Sequence, residues 1–327
     1  MEYAKTFSKL IGTGSFLPGQ AITNLDLSKK LKKIGVSTSD EWINDRTGIK
    51  QRYFCDDDTT STLGLKAAKI AIEDAGVSIN EIDLVVVATT TPDSIFPSVA
   101  CKIQGQLGID KGAAFDVKAV CSGFAYALNI CDLFIKSGQH SCALVIGAET
   151  LSDILNWQDR STCVLFGDGA GAVVLKSSNK PGILKSILRA DGKYANILRA
   201  PARVSQGNII GNPFAEMDGK EVYRRAIDAL TSNAQDVMSK AEIPITDIDW
   251  FIPHQANSRI LNAVAKRLQI SEDKLVNTVS NHANTSAASI PLAIDTARKD
   301  GRILHGDLIL VQGVGGGLSW GSSLIRM

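Results

Sequence analysis

The chain repeats itself at an offset of 166 residues, about half of its 327-residue length. Ala75-Gly-Val-Ser-Ile-Asn-Glu-Ile-Asp83 lies over Ala241-Glu-Ile-Pro-Ile-Thr-Asp-Ile-Asp249, and Ala143-Leu-Val-Ile-Gly147 over Ile309-Leu-Val-Gln-Gly313. The same offset sets Ala127-Leu128 over Ala293-Ile294. A repeat of this size points to two copies of one supersecondary unit, and the chain divides accordingly into halves 1–176 and 177–327.

Each half reads as strands alternating with helices. Extended runs fall at 9–14, 84–88, 143–147 and 170–176, then at 250–253, 274–279, 308–312 and 323–327. Helical periodicity covers 63–75, 124–137, 221–241, 259–268 and 289–299. Continuous Val/Ile/Leu runs suit strands covered on both faces, so the expected fold class is layered α/β with two related sheets.

Within this frame one cysteine stands out. Ala119-Val-Cys121-Ser-Gly-Phe-Ala125 places a thiol where an extended segment turns into a helix. Free backbone N–H groups and the helix dipole at such a turn favour the thiolate, which makes Cys121 a candidate nucleophile. A cysteine among small apolar residues is equally what a buried hydrophobe looks like, so partners decide. Two distant segments offer them: Pro253-His254-Gln-Ala-Asn257, where an apolar run ends in a histidine and amides, and Asn281-His-Ala-Asn284-Thr-Ser-Ala-Ala288, a polar loop entering a helix. Under the offset Cys121 falls on Ala287, so the halves present equivalent helix starts at a shared crevice.

A net charge of +1 with no long basic block argues against nucleic-acid binding. The first residues lack a signal-peptide core and no apolar run reaches membrane-spanning length, so a cytoplasmic protein without membrane association is expected. The six cysteines, all between 55 and 163, include no Cys-x-x-Cys pair, which argues against a disulfide framework or structural zinc. Cys101, Cys131 and Cys142 read as core packing. Gly12-Thr-Gly14 is no dinucleotide fingerprint, because Leu17 stands where the third glycine is needed. Gly313-Val-Gly315-Gly316-Gly317 ends a strand, and such glycines let backbone N–H groups approach a ligand oxygen.

Taken together, Cys121, His254, Asn284 and the late glycine turn resemble the β-ketoacyl-acyl-carrier-protein synthase III family. The likeness runs nearly end to end, through Gly12-Thr-Gly-Ser-Phe-Leu-Pro18, Thr38-Ser-Asp-Glu-Trp-Ile43, Arg46-Thr-Gly-Ile49, Phe96-Pro-Ser98, Phe166-Gly-Asp-Gly-Ala-Gly-Ala172, Pro253-His-Gln-Ala-Asn257, Asn284-Thr-Ser-Ala-Ala-Ser289 and Gly315-Gly-Gly-Leu-Ser-Trp-Gly321. It implies a thiolase-like fold, a duplicated α/β unit in five αβαβα layers.

The resemblance also implies an acyltransferase that starts fatty-acid synthesis. Cys121 would take the acyl group of a short acyl-CoA, acetyl-CoA first, as a thioester. His254 and Asn284 would assist decarboxylation of malonyl-acyl carrier protein, and the N–H groups of Cys121 and Gly316 would hold the oxyanion. Trp42 and Arg160 would sandwich the CoA adenine, with Thr38 and Arg46 alongside and Gly219 and Asn257 lining the pantetheine tunnel. Phe96 would close the acyl pocket across a homodimer interface. No metal or redox cofactor is implied.

Other readings stay open. Thr38-Ser-Asp-Glu41 matches a capping box whose helix carries Trp42 and Arg46 on one face, which also suits simple surface packing. Arg259, Lys266 and Arg267, at i, i+7 and i+8, form either a solvated face or, by resemblance, the dock for an acidic carrier protein. Lys220 and Tyr223 stand where many relatives have asparagine and phenylalanine, and Ala283 where relatives often have glycine; the last is expected to leave the triad untouched. A thiolase would need a second reactive cysteine in the late glycine turn, and none follows Cys163. Related ketosynthases of secondary metabolism, with another primer or acceptor, remain the alternative, ahead of a cysteine hydrolase or a non-enzymatic acyl binder.

Overall fold

The computed structural model describes residues 6–327. Its first sheet runs in the order Phe7–Phe16, Gly169–Ser178, Cys142–Glu149, Leu84–Ala88, Ala113–Val117. The first two pairings are antiparallel and the last two parallel. The second sheet repeats the pattern with Ile183–Ala190, Ser319–Arg326, Leu308–Gly315 and Trp250–Pro253. Even the register is kept: Leu84 pairs with Ala143, and Trp250 with Ile309, each 166 residues on.

Helices Thr60–Ala75 and Val99–Leu107 cover the outer face of the first sheet, burying Leu63, Ala67, Ala71 and Ile103. Helices Gly219–Ala241 and Ser258–Leu268 cover the second, with Ile227, Leu230, Leu261 and Val264. Between the sheets lie Gly123–Lys136 and Ser289–Lys299. The five αβαβα layers are those of the expected fold.

The inner pair matters most for the site. Phe124, Leu128, Cys131 and Ile135 recur at helical spacing and are fully buried, each large side chain stabilising the sandwich by about 2 kcal/mol. Its partner buries Ile290, Ala293, Ile294 and Ala297 in the same way. Both helices begin at the centre of the molecule, and neither has a side-chain cap on its first turn. Their leading N–H groups are therefore left for other partners.

Four expectations are corrected. Residues 274–279 are no strand: a 3-10 turn ends at Lys274, Leu275 makes one bridge to Phe251, and the helix Val279–His282 follows. The Gln255 side chain explains this, because Oε1 accepts from Thr278 N and Val279 N and Nε2 donates to the Val276 carbonyl, replacing a ladder. The helix Asp40–Thr47 is capped by Ser39, whose Oγ accepts from Trp42 N at 3.1 Å, and not by a Thr38–Glu41 box. Cys101 is exposed, unlike buried Cys131 and Cys142. The run at 63–75 begins earlier, at Thr60, where Thr59 caps the helix.

Candidate active site

Cys121 sits on a turn that its own backbone resists. Val120, just before it, holds φ at +49°, a region that costs a β-branched residue about 1–3 kcal/mol. The short 3-10 turn Val120–Ser122 then runs into the helix Gly123–Lys136, so the sulfur lies beside an uncapped helix start. Gly315 of the opposite half passes so close that a Cβ there would lie 2.6 Å from Cys121 N. Glycine is needed at 315 for that reason alone.

The second half builds the same turn. Ser286, 166 residues after Val120, holds φ at +48°, and the 3-10 turn Ser286–Ala288 runs into Ser289–Lys299. Asn284 is delivered just before it by a backbone clamp: its N–H donates to the Leu165 carbonyl and its own carbonyl accepts from Gly167 N, both at 3.0 Å. This clamp is what the Phe166-Gly-Asp-Gly stretch does. Asn284 Oδ1 accepts from Ser286 N at 2.9 Å, which leaves the Nδ2 hydrogens as the donors facing the cavity.

His254 follows the strand Trp250–Pro253, and its N–H donates to the Gln312 carbonyl at 2.7 Å. Nδ1 lies 2.6 Å from Ser289 Oγ, which also accepts from Gln255 N. The hydroxyl hydrogen is thus free to point at Nδ1, which places the ring hydrogen on Nε2. Burial pushes the imidazole down to about 3, while a hydrogen bond with the Ser286 backbone works the other way. His254 is a neutral hydrogen-bond donor, not a base.

The thiol departs from expectation in the same direction. Burial pushes Cys121 up to about 12; hydrogen bonds with Ser286 and with its own backbone oppose the rise, and the Glu149 charge adds to it. The resting sulfur is therefore a thiol. Removal from water outweighs these hydrogen bonds.

Cys121, His254 and Asn284 line one cavity of about 410 Å³, together with Arg46, Gly219, Lys220, Tyr223, Asn257, Arg259 and Gly315. Asn257 also caps the helix Ser258–Leu268, its Oδ1 accepting from Ile260 N at 3.0 Å. At the mouth Trp42 lies between two guanidinium groups, Arg160 at 4.2 Å and Arg46 at 4.5 Å from the ring centre. Arg160 Nη1 donates to the Ser37 carbonyl, and the half-buried Thr38 keeps its hydroxyl without a partner.

Other expected residues lie apart. Gly316 packs on the Leu198 carbonyl, and its neighbour Gly315 is the one lining the cavity. Phe96 is 82% exposed beside exposed Ile95, away from the cavity. Arg267 is tied to Asp228 at 2.6 Å, whereas Arg259 and Lys266 have no ion pair among the described residues.

Three residues of the site were not singled out from the sequence: Ser286, Ser289 and Glu149. Ser286 links Asn284 to Glu149, its N–H donating to Asn284 Oδ1 at 2.9 Å and its Oγ to Glu149 Oε1 at 2.9 Å. The 166-residue offset could have found it, since it is the counterpart of Val120. No helix among the described residues is long and apolar enough to cross a membrane.

Comparison with known proteins agrees with this geometry. Models of 3-oxoacyl-[acyl-carrier-protein] synthase III match residues 115–192, and of its C-terminal part residues 238–327. A β-ketoacyl-[acyl-carrier-protein] synthase III of Bordetella petrii is 55% identical over 328 residues, covering all of both chains. The crystal structure of the 3-oxoacyl-[acyl-carrier-protein] synthase III of Aquifex aeolicus VF5 superposes with a TM-score of 0.92 at 44% identity, over 98% of this chain and 100% of that one. The priming β-ketosynthase of the R1128 polyketide pathway gives 0.91 at 34% identity, over 98% and 96%. With a strained cysteine turn, a neutral histidine and an amide on one cavity, and likeness over its full length, the chain belongs to the β-ketoacyl-acyl-carrier-protein synthase III family of acyltransferase-type condensing enzymes.

Proposed function

We propose that this protein condenses a short acyl-CoA, acetyl-CoA first, with malonyl-acyl carrier protein to give a 3-oxoacyl-carrier protein, the opening step of fatty-acid synthesis. The convergence of Cys121, His254 and Asn284 on one cavity carries this reading. Cys121 attacks the acyl thioester; sulfur serves both as nucleophile and as leaving group, so the intermediate forms and then collapses. The malonyl thioester then loses CO₂. Its carbonyl oxygen gains charge as the enolate forms, and the Nε2 hydrogen of His254 and Nδ2 hydrogens of Asn284 are neutral donors suited to hold it. The enolate carbon attacks the acyl-cysteine, with the oxyanion at the N–H of Cys121 and the 315–316 glycine turn. Neither step asks for a metal or redox cofactor.

The half 1–176 then supplies the nucleophile and the half 177–327 the donors. Trp42 and Arg160 part to admit the adenine, Thr38 and Arg46 flank the nucleotide, and Gly219 and Asn257 line the pantetheine path. Arg259 and Lys266 form the dock for the acidic carrier protein, Arg267 contributing less because Asp228 already neutralises it. A second copy covers exposed Ile95 and Phe96 and the outer strand Ala113–Val117, making a cytoplasmic homodimer whose Phe96 closes the partner acyl pocket. The experiment is incubation with labelled acetyl-CoA followed by malonyl-carrier protein. Label held on Cys121 and then passed to a 3-oxoacyl product supports the reading; rapid release as free acetate overturns it. Other acyl-CoA primers in the same assay separate housekeeping synthesis from the specialised ketosynthase alternative.

A further inference from the structure

Asn284 serves as a donor only while its amide faces the cavity the right way round, and one hydrogen decides that. Ser286 N donates to Oδ1 at 2.9 Å; an amide turned over would set Nδ2 against that N–H, hydrogen to hydrogen. Ser286 is a strained place for such a duty. Its φ of +48° is a region that a residue with a Cβ leaves unless its surroundings hold it there. Glu149 provides the hold. It is fully buried at the end of the strand Cys142–Glu149, and its Oε1 accepts from Ser286 Oγ at 2.9 Å.

We propose that Glu149 is a positioning residue for decarboxylation: by accepting the Ser286 hydroxyl it holds the turn that keeps the Asn284 amide with its Nδ2 hydrogens towards the cavity. Without that hold the amide is free to turn over. Its Oδ1 would then face the oxygen on which negative charge develops, and a donor would become a repulsive acceptor. Glu149 touches no reacting atom in this role and moves no proton. That the donor acts on a malonyl enolate rests on the function proposed above; the orientation of the amide does not.

The rest of the carboxyl group's bonds make it a fixed anchor. Oε2 accepts from Thr90 N at 3.0 Å and from the hydroxyls of Thr89 and Thr91 at 3.3 and 2.7 Å, and Thr90 Oγ1 lies 3.0 Å from both oxygens. Thr91 Oγ1 in turn accepts from Thr150 N at 2.9 Å, which closes a ring on the residue after Glu149. These threonines follow the strand Leu84–Ala88, so the amide of the second half is oriented from the first. The duplication underlines the point. Val120, the counterpart of Ser286, has the same φ but no hydroxyl, and the counterpart of Glu149 is Gly315. That turn has no side-chain amide to orient, and the close backbone crossing at Gly315 braces it instead.

The test uses Glu149→Gln and Ser286→Gly. The first keeps the size, but Thr90 N–H still needs an oxygen, so the new amino group faces Ser286 and cannot accept its hydrogen. The second tolerates positive φ and deletes the hydroxyl. Each is expected to lower kcat for decarboxylation of malonyl-carrier protein about 10-fold, with KM and single-turnover acetylation of Cys121 within about threefold of wild type. In an Asn284→Ala background neither change should cost anything further, because no amide is left to orient. A merely structural residue would add its loss in that background too and spread it over both half-reactions. Unchanged decarboxylation, equal loss in both half-reactions, or an undiminished loss without Asn284 would overturn the proposal. The Asn284 side-chain amide resonances, identified by their disappearance in Asn284→Ala, give a reading without substrate. Both variants should shift or broaden them, and resonances that stay in place overturn the proposal as well. If the wild type decarboxylates nothing, the function reading fails instead, and these resonances still decide the orientation.

Discussion

The turn at Val120-Cys121 and the turn at Ser286-Ala287 occupy equivalent places in the two halves, and their backbones match, with φ of 49° and 48° at the strained residue. Each is followed by one 3-10 turn and an uncapped inner helix. Each is also crossed by a strand glycine of the other half, Gly313 against Ser122 and Gly147 against Ala287. What differs is the cargo. The first turn presents a sulfur; the second presents a hydroxyl and, two residues earlier, an amide. Duplication supplied one rigid scaffold twice, and side chains divided the reaction between the copies.

The sharpest break of that division comes from the two half-reactions. Cys121→Ala should cut acetylation at least about 10⁴-fold while malonyl decarboxylation continues. His254→Ala or Asn284→Ala should do the reverse, lowering decarboxylation about 10²–10³-fold with the acetyl label on Cys121 intact. Measured separately with labelled acetyl-CoA and labelled malonyl-carrier protein, a loss of both half-reactions in any single variant would end the idea of divided labour.

The crossing glycines test the scaffold itself. A Cβ on Gly313 would lie 2.8 Å from Ser122 Cα, and one on Gly147 would collide with the Ala287 carbonyl oxygen. Backbone cannot yield cheaply, so each alanine variant should lose about 1–3 kcal/mol of stability in urea denaturation. Their functional effects should cross over. Gly313→Ala should disturb acetylation and Gly147→Ala decarboxylation, because each glycine supports the other half's turn.

Much of this was legible in the chain before its structure. The 166-residue offset pointed to two copies of one α/β unit and to the pairing of Cys121 with Ala287, because a duplicated fold preserves spacing where it must preserve packing; the five layers came with the family resemblance, and the shared strand register only with the structure. His254 was visible as a polar side chain ending an apolar run, and Asn284 as an amide in a polar loop entering a helix. Residues 274–279 misled because their apolar residues suggest a strand, while Gln255, some twenty positions earlier, satisfies the backbone from the side. Glu149 and Ser286 escaped notice for a related reason: a carboxylate at a strand end and a serine in a small-residue loop look ordinary until burial and φ are known. The thiol's protonation was misjudged because the helix start is local in sequence and burial is not.

Acid should expose a weaker asymmetry between the halves. Burial holds His254 at about 3 and His282 at about 4, both in the second half and both below the ordinary 6.5. The unfolded chain binds protons that the folded chain refuses, so their contribution to stability is complete above about pH 6.5 and shrinks as pH falls toward 4. Buried Glu149 and Asp168 have raised values and act with the opposite sign. His282→Asn should therefore flatten the fall in melting temperature between pH 6.5 and 4. An unchanged slope would show that His282 is not held neutral.

The smallest effect lies where the second half departs from the first. The first half enters its turn soon after the strand Ala113–Val117; the second first makes the helix Val279–His282 and then reverses through Ala283 to present Asn284. Ala283 holds φ +59° and ψ −163°, a region that suits glycine, and its side chain is fully buried. The departure from glycine at 283 thus touches the triad's own backbone, contrary to expectation. Relief of about 1–3 kcal/mol of strain outweighs the 0.5–1 kcal/mol that glycine's freedom costs in the unfolded chain, roughly, so Ala283→Gly should stabilise the protein by about 1 kcal/mol. Since the Leu165 and Gly167 clamp fixes Asn284 independently, decarboxylation should stay unchanged. A lower urea midpoint would mean that the methyl's packing exceeds the strain, and that the second half reaches its turn without the cost assigned to it here.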